Sequence, residues 1–139
     1  MKPFNFRLEK VLDLRTHYED EAKIELGRAI GILSELEFKI AAIGKERAVA
    51  SYNQFNPENS ADMIQRYMFY IIRLDNKKEE LLKEAAMAEL EVEKAREAFV
   101  EASRERKVLD KLKEKRKKEY HKAWLAEEGK ALDDIQRKL

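Results

Sequence analysis

The chain has 139 residues, of which 41% are charged and 44% hydrophobic, and it carries only four glycines and two prolines. An ordinary domain has about 25% charged residues, so this composition is typical of long helices or coiled coils. The net charge of +1 gives no general attraction to nucleic acid or anionic membranes, and the absence of cysteine excludes disulfides and thiolate chemistry. No apolar run has the length of a signal peptide or a membrane span, so we expect a cytoplasmic protein without direct membrane insertion.

The first half of the chain carries a heptad repeat. Positions that alternate in steps of four and three are apolar in ten of thirteen cases, the exceptions being Arg15, Glu19 and Arg47. These positions hold Leu8, Leu12, Arg15, Glu19, Ala22, Leu26, Ala29, Leu33, Leu36, Ile40, Ile43, Arg47 and Ala50. The spacing keeps one apolar stripe facing a partner helix in a left-handed supercoil. We therefore predict a first helix over about 5–53.

One segment, 51–60, breaks the helical pattern. Pro57 disfavours helical geometry at Asn56 and does not fit a helix interior. Asn56 could cap a new helix that starts with Pro57, and Asn59 or Ser60 is the alternative cap. We predict a turn over about 54–60, and a second helix that begins near 58.

A second heptad repeat follows this turn. Twelve of its fourteen positions are apolar or aromatic, the exceptions being Lys78 and Arg106. The positions hold Ile64, Tyr67, Ile71, Leu74, Lys78, Leu81, Ala85, Ala88, Val92, Ala95, Phe99, Ala102, Arg106 and Leu109. Gly129 is expected to end this helix near 128, ahead of a short C-terminal tail.

The two repeats predict an all-α fold, in which two long helices form an antiparallel coiled-coil hairpin and the second helix is the longer one. We expect residues 1–139 to form this single hairpin, with helices of roughly 70 Å and roughly 105 Å. A turn centred near 56–58 would place Ala29 opposite Ala85 and Ala88, and Leu12 opposite Ala102. The heptads alone do not select this register, because they repeat along the helix.

The chain offers little that could carry chemistry, so we expect no enzyme, no cofactor and no metal. His17 and His121 lie in charged surroundings, and surface histidines explain them better than a metal site, which needs more ligands. There is also no glycine-rich phosphate loop and no nucleophile elbow.

Two segments stand out as candidate binding sites. Residues 104–122 carry ten basic and four acidic residues, which suits either a solvated helix or a docking site for an acidic protein surface. Nucleic acid is a poor partner for this segment, because it lacks interleaved aromatic residues. The second segment is an aromatic and methionine cluster around the turn: Tyr52, Phe55, Met63, Tyr67, Met68, Phe69, Tyr70, Ile71 and Ile72. Consecutive residues point all around a helix, so this cluster is either covered by a third short element or exposed for protein binding.

Both ends of the chain resemble the flagellar export protein FliJ family. The opening residues Phe4, Phe6, Leu8, Val11, Leu12 and Arg15 fit an F-x-F-x-L-x-x-V-L-x-x-R pattern, and Glu19 to Lys23 continue it. The closing stretch 106–116, followed by Tyr120, Glu128 and 132–135, also fits, so the resemblance covers the whole chain. An equivalent stalk of a non-flagellar type III secretion system, or a generic coiled-coil scaffold, is the alternative.

The resemblance implies a non-catalytic stalk or adaptor, similar to the central stalk of rotary ATPases. Its implied partners are the hexameric flagellar export ATPase, an export-gate membrane protein and export chaperones, with no nucleic acid. We expect a monomer at the periphery of the inner-membrane export apparatus. The residues implied to bind the ATPase ring are Phe4, Phe6, Leu8, Val11, Leu12, Arg15, Leu109, Leu112, Lys113, Arg116 and Tyr120. Those implied to bind the gate are Tyr52, Phe55, Tyr67, Tyr70 and Leu74.

Overall fold

The computed structural model describes residues 2–139, which form two helices, α1 (Glu9–Gln54) and α2 (Ala61–Lys138). The first helix has 46 residues and the second has 78, and no strand is present in the described part of the chain. The predicted all-α hairpin with a longer second helix is therefore confirmed. No helix among these residues combines the length and the apolar character needed to cross a membrane.

The heptad positions form the interface between the helices. Every predicted position of the first repeat is buried or half-buried except Arg47. Every predicted position of the second repeat is buried or half-buried except Ile64. Residues between the heptad positions are largely exposed. The sequence period thus sets which side of each helix is removed from water, which is the main favourable contribution to helix pairing in a coiled coil.

The turn between the helices is built from side-chain caps. The backbone N–H of Met63 donates to Ser60 Oγ at 3.2 Å, so Ser60 is the N-cap of α2. Asn56 instead accepts from the backbone N–H of Glu58 at 3.0 Å and forms an Asx turn. Asn59 Nδ2 donates to the carbonyl oxygens of Asn53 at 2.7 Å and of Gln54 at 3.2 Å. These contacts satisfy backbone groups that the ends of both helices leave unpaired.

The outer ends of both helices differ from the prediction. Residues 2–8 are not helical, and α1 begins at Glu9, not near 5. At the other end, α2 passes through Gly129 and continues to Lys138, although an end near 128 was expected. A glycine costs a helix about 1 kcal/mol relative to alanine, which is too little to stop a helix when nothing else ends it.

The chain divides into two compact units. The turn unit is Lys23–Glu97, and the terminal unit comprises residues 2–22 together with Ala98–Leu139. The core of the turn unit lies between the two helices and holds Leu36, Ile43, Leu74, Leu81, Ala85 and Ala88, with Leu33 and Ile40 packed against it. That residues 1–139 form a single domain stays a prediction.

Ion pairs show that the helices run antiparallel in the terminal unit, where Glu9 pairs with Lys113 and Arg15 pairs with Glu105. Leu12 is buried between these two levels, so it lies nearer Leu109 than Ala102, the residue expected opposite it. In the turn unit, Ala29 shares a cleft with Ala88 and Ala95, again further along α2 than expected. The register is therefore shifted by about one to two helical turns relative to the expectation.

Candidate protein-binding surfaces

A polar cluster occupies the helix interface in the terminal unit, at two of the positions that interrupt the apolar repeats. Arg106 Nε donates to both carboxylate oxygens of Glu19 at 2.8 Å, and Arg106 also pairs with Asp110. Hydrogen bonds from Arg106, and then from Ser103, hold the pKa of Glu19 below its usual value of 4.5. The bond to Glu19 in turn raises the pKa of Arg106 above its ordinary value. Glu19 and Arg106 thus satisfy each other across the helix interface.

Replacing Glu19 by glutamine is expected to lower the urea midpoint of unfolding at pH 7, because Arg106 loses its charged partner. The folded-state pKa of Glu19 lies below its unfolded value, so its contribution to stability is present above about pH 4.5 and disappears as the pH falls through the folded-state pKa. The difference between wild type and Glu19→Gln should therefore shrink below pH 4.5. Asp20→Asn, at an exposed neighbouring position, should leave the midpoint at pH 7 unchanged; an equal shift would contradict the assignment.

The N-terminal segment, residues 2–8, lies against α2 in the terminal unit. The rings of Phe4 and Tyr120 have centroids 5.6 Å apart at an interplanar angle of 54°, and the Tyr120 hydroxyl donates to the carbonyl oxygen of Lys2. Phe6 is only 7% exposed. A cleft of about 800 Å³ runs along this contact. Six of the eleven residues implied to bind the ATPase line it: Phe4, Phe6, Leu8, Leu112, Arg116 and Tyr120.

The other five implied ATPase residues have different surroundings. Val11 is exposed, Leu12 is buried and Leu109 is half-buried. Arg15 and Lys113 already form ion pairs within the chain, with Glu105 at 2.5 Å and with Glu9 at 2.9 Å. Buried Phe6 and Leu12 stabilise the unit and offer little surface, whereas the exposed members remain accessible. Ring binding by these residues stays a prediction.

A second cleft, of about 770 Å³, adjoins the first and shares only Phe4 and Tyr120 with it. It is lined by residues that the implied ATPase site does not include: Glu114, Lys117, Lys118, His121 and Lys122. Next to it, the ring of His121 stacks on Trp124 at 6.3 Å and 12°. The excess of basic residues in segment 104–122 indicates a candidate binding site that includes these lysines. No local sequence pattern places Phe4 beside them.

The turn unit carries the residues implied to bind the export gate. Tyr52 is 83% exposed and Phe55 is 78% exposed, and Tyr70 is also exposed. Tyr67 is half-buried and lines two clefts together with Tyr70, one of them also bounded by Val49. Leu74 differs from the other four, because it lies in the helix-packing core and not at the surface.

The aromatic and methionine cluster around the turn is largely uncovered. Met63, Met68, Phe69 and Ile72 are exposed, whereas Ile71 is half-buried. No third helix or strand is formed by residues 2–139, so within this range the cluster is not covered by another element. An apolar surface of this kind is typical of protein-binding sites.

Each of the two histidines contacts a side chain close to it in sequence. His17 Nε2 lies 3.0 Å from Glu21, and His121 stacks on Trp124. Within residues 2–139, no group of three or more histidine, cysteine or acidic side chains is placed to hold a metal ion.

Comparison with known proteins identifies a protein family. The family model described as "Flagellar FliJ protein" matches residues 4–139. A search of curated proteins and a search of solved structures found no match. Because the family model covers nearly the whole chain, this protein belongs to the FliJ family of flagellar proteins.

Proposed function

We propose that this chain is a non-catalytic stalk or adaptor of the flagellar type III protein export apparatus. In this proposal, the terminal unit binds the hexameric export ATPase and the turn unit binds the export-gate membrane protein. Membership of the FliJ family makes the chain a flagellar export-related protein, which is the coarser part of the statement. The finer part rests on the two surfaces described above.

The observation that carries the proposal is that each unit has its own accessible aromatic surface. The terminal unit presents Phe4 and Tyr120 between two clefts rimmed by basic residues. The turn unit presents Tyr52, Phe55 and Tyr70. Aromatic and arginine side chains are the commonest energetic centres of protein interfaces, and their exposure leaves apolar area to be buried by a partner at about 25 cal/mol per Å².

The helix α2 contributes to both surfaces, through Tyr67 and Tyr70 in one and Tyr120 in the other. A single uninterrupted helix that contacts two partners suits an adaptor, which needs binding groups and no reacting group. In this proposal the chain acts as one copy, peripheral to the inner membrane. Escort of export chaperones belongs to the same proposal, but no particular residues are assigned to it.

A generic scaffold is the weaker alternative, because its heptad positions would pair with a second chain. Here the heptad positions of α1 and α2 bury one another within one molecule. The matching family model is a flagellar one, which favours flagellar export over a non-flagellar secretion system.

The ATPase half of the proposal is tested by pull-down with the purified flagellar export ATPase and by measuring its ATP hydrolysis with and without this chain. We expect wild-type protein to bind and to stimulate hydrolysis. Arg116→Ala should weaken binding about tenfold, which corresponds to about 1.4 kcal/mol, because Arg116 is exposed in the aromatic cleft.

Arg104→Ala is the matched control, since Arg104 is an exposed arginine of the same basic segment that pairs with Glu101 and lines neither aromatic cleft. It should leave binding unchanged. If the wild-type chain neither binds nor stimulates the ATPase, the ATPase half of the proposal is wrong.

A further inference from the structure

We infer that the Phe4–Tyr120 pair and the basic residues around it form a docking site for an acidic protein segment that carries an apolar side chain. The inference rests on the proposed function, because it names the chemistry of the partner segment expected at the terminal unit. It goes further because it specifies that the partner segment is negatively charged, that it inserts an apolar side chain, and that it also occupies a second cleft. Membership of the family assigns none of these three properties.

The site is built around an aromatic ridge. Phe4 and Tyr120 lie 5.6 Å apart by ring centroid, and they are the only residues common to both clefts. Both rings are half-buried, so part of each faces the clefts. Buried Phe6 lines the first cleft together with this ridge, and the Tyr120 hydroxyl donates a hydrogen bond to the Lys2 carbonyl oxygen. An apolar side chain entering either cleft would therefore meet an ordered aromatic surface.

The charges at the rim have one sign in excess. Six cationic side chains line the two clefts, against two carboxylates, Glu114 and Glu119. The cations are Lys2, Arg7, Arg116, Lys117, Lys118 and Lys122. Among residues 2–139, none of these six forms an ion pair. Elsewhere in the same unit, Arg15, Arg106 and Lys113 all have carboxylate partners. A ligand that brings carboxylates would complement this charge.

The arrangement favours a protein segment over a membrane or a nucleic acid. Arg116 lines one cleft and Lys118 the other, so the cations lie on both sides of the ridge. A flat bilayer surface could contact only one side at a time. Single-stranded nucleic acid binds by stacking successive bases on successive aromatic residues, and the clefts contain one such ridge. A peptide chain can place an apolar side chain on the ridge and carboxylates in both clefts.

The test uses the full-length chain and its only tryptophan, Trp124, as the reporter, since Trp124 stacks on His121 at the second cleft. The probes are an oligoglutamate peptide with one central phenylalanine, and the same peptide with alanine in its place. We expect the phenylalanine peptide to change Trp124 fluorescence with saturation, and to bind at least about fivefold more tightly than the alanine peptide.

Two double variants with the same residue spacing and the same change in charge distinguish binding at the two clefts from non-specific electrostatic attraction of the acidic peptide to the basic segment. Lys118→Gln with Lys122→Gln removes two rim charges, and should weaken peptide binding at least about fivefold. Lys111→Gln with Lys115→Gln changes two exposed lysines outside both clefts, and should weaken it less than about twofold. Absence of peptide binding, or equal weakening by both variants, overturns the inference.

Two further probes decide the class of partner. Phosphatidylglycerol vesicles and a 20-nucleotide single strand should bind more weakly than the phenylalanine peptide, and tighter binding of either overturns the inference.

The same variants in the ATPase pull-down separate this inference from the proposed function. If wild type binds the ATPase and Lys118→Gln with Lys122→Gln binds equally well, the inference fails while the proposed function stands. If the ATPase does not bind wild type, the ATPase half of the proposal fails, and the peptide titration still decides the inference.

Discussion

Replacing Tyr52 and Phe55 together by alanine is expected to weaken binding to the export-gate protein by about 10- to 100-fold and to abolish swimming. Both side chains are almost fully exposed beside the turn, and neither belongs to the helix-packing core. Their loss should therefore leave the fold unchanged while removing about 1.4–2.8 kcal/mol of binding free energy, which corresponds to the 10- to 100-fold change in affinity. Binding to the purified gate protein, swimming in soft agar and circular dichroism of the variant are the three measurements.

Phe38 supplies the matched control for this variant. It is 77% exposed against 78% for Phe55, and it lies on α1 in the same unit but outside the aromatic cluster. Phe38→Ala should leave gate binding and swimming unchanged. Equal loss from Phe38→Ala would mean that general surface hydrophobicity, and not the cluster, matters for the gate.

The second large effect concerns the stability of the turn unit. Leu81→Ala is expected to lower the free energy of unfolding by about 2–4 kcal/mol, since Leu81 is 8% exposed and packs in the core between α1 and α2. The next core positions on the same helix are Ala85 and Ala88, whose side chains are too short to fill the space left behind. Urea unfolding would measure this loss of unfolding free energy, provided that the dependence of the free energy on urea concentration is the same in wild type and variant.

Leu82→Ala tests whether position or composition decides the result. Leu82 is the neighbouring leucine on the same helix, but it is 48% exposed and points away from the core. It should cost less than about 1 kcal/mol, because little apolar area returns to water. If both variants were equally destabilised, the assignment of the heptad positions to the interface would be contradicted.

Much of the fold follows from local periodicity. The step of three and four residues fixed which side of each helix is buried, and this holds from Leu8 to Ala50 and from Tyr67 to Leu109, with Arg47 as the exception. Pro57 and the capping residues around it located the turn, although sequence could not choose between Asn56 and Ser60. These features depend on residues that are close together in the chain, so they can be predicted from a single sequence.

Features that depend on distant residues were not predictable in the same way. The heptad repeat is nearly degenerate under a shift of seven residues, so it does not identify the register that the structure shows in pairs such as Arg47–Asp75 and Glu19–Arg106. The path of residues 2–8 depends on Phe6 and Phe4 reaching α2. Among the residues implied to bind the gate, Leu74 lies in the helix-packing core, as its position in the second heptad repeat indicates.

The separation in sequence between contacting residues has a consequence for synthesis of the chain. In the turn unit, Tyr70 contacts Glu46 and Arg47 contacts Asp75, over 24 and 28 residues. In the terminal unit, Lys113 contacts Glu9 and Tyr120 contacts Lys2, over 104 and 118 residues. At about 5–20 residues per second, a ribosome needs about 2–9 s to pass from Asp75 to Tyr120. Throughout that interval Phe4 lacks the Tyr120 ring that it contacts in the folded chain, so it is accessible to chaperones and proteases until residue 120 has been synthesised.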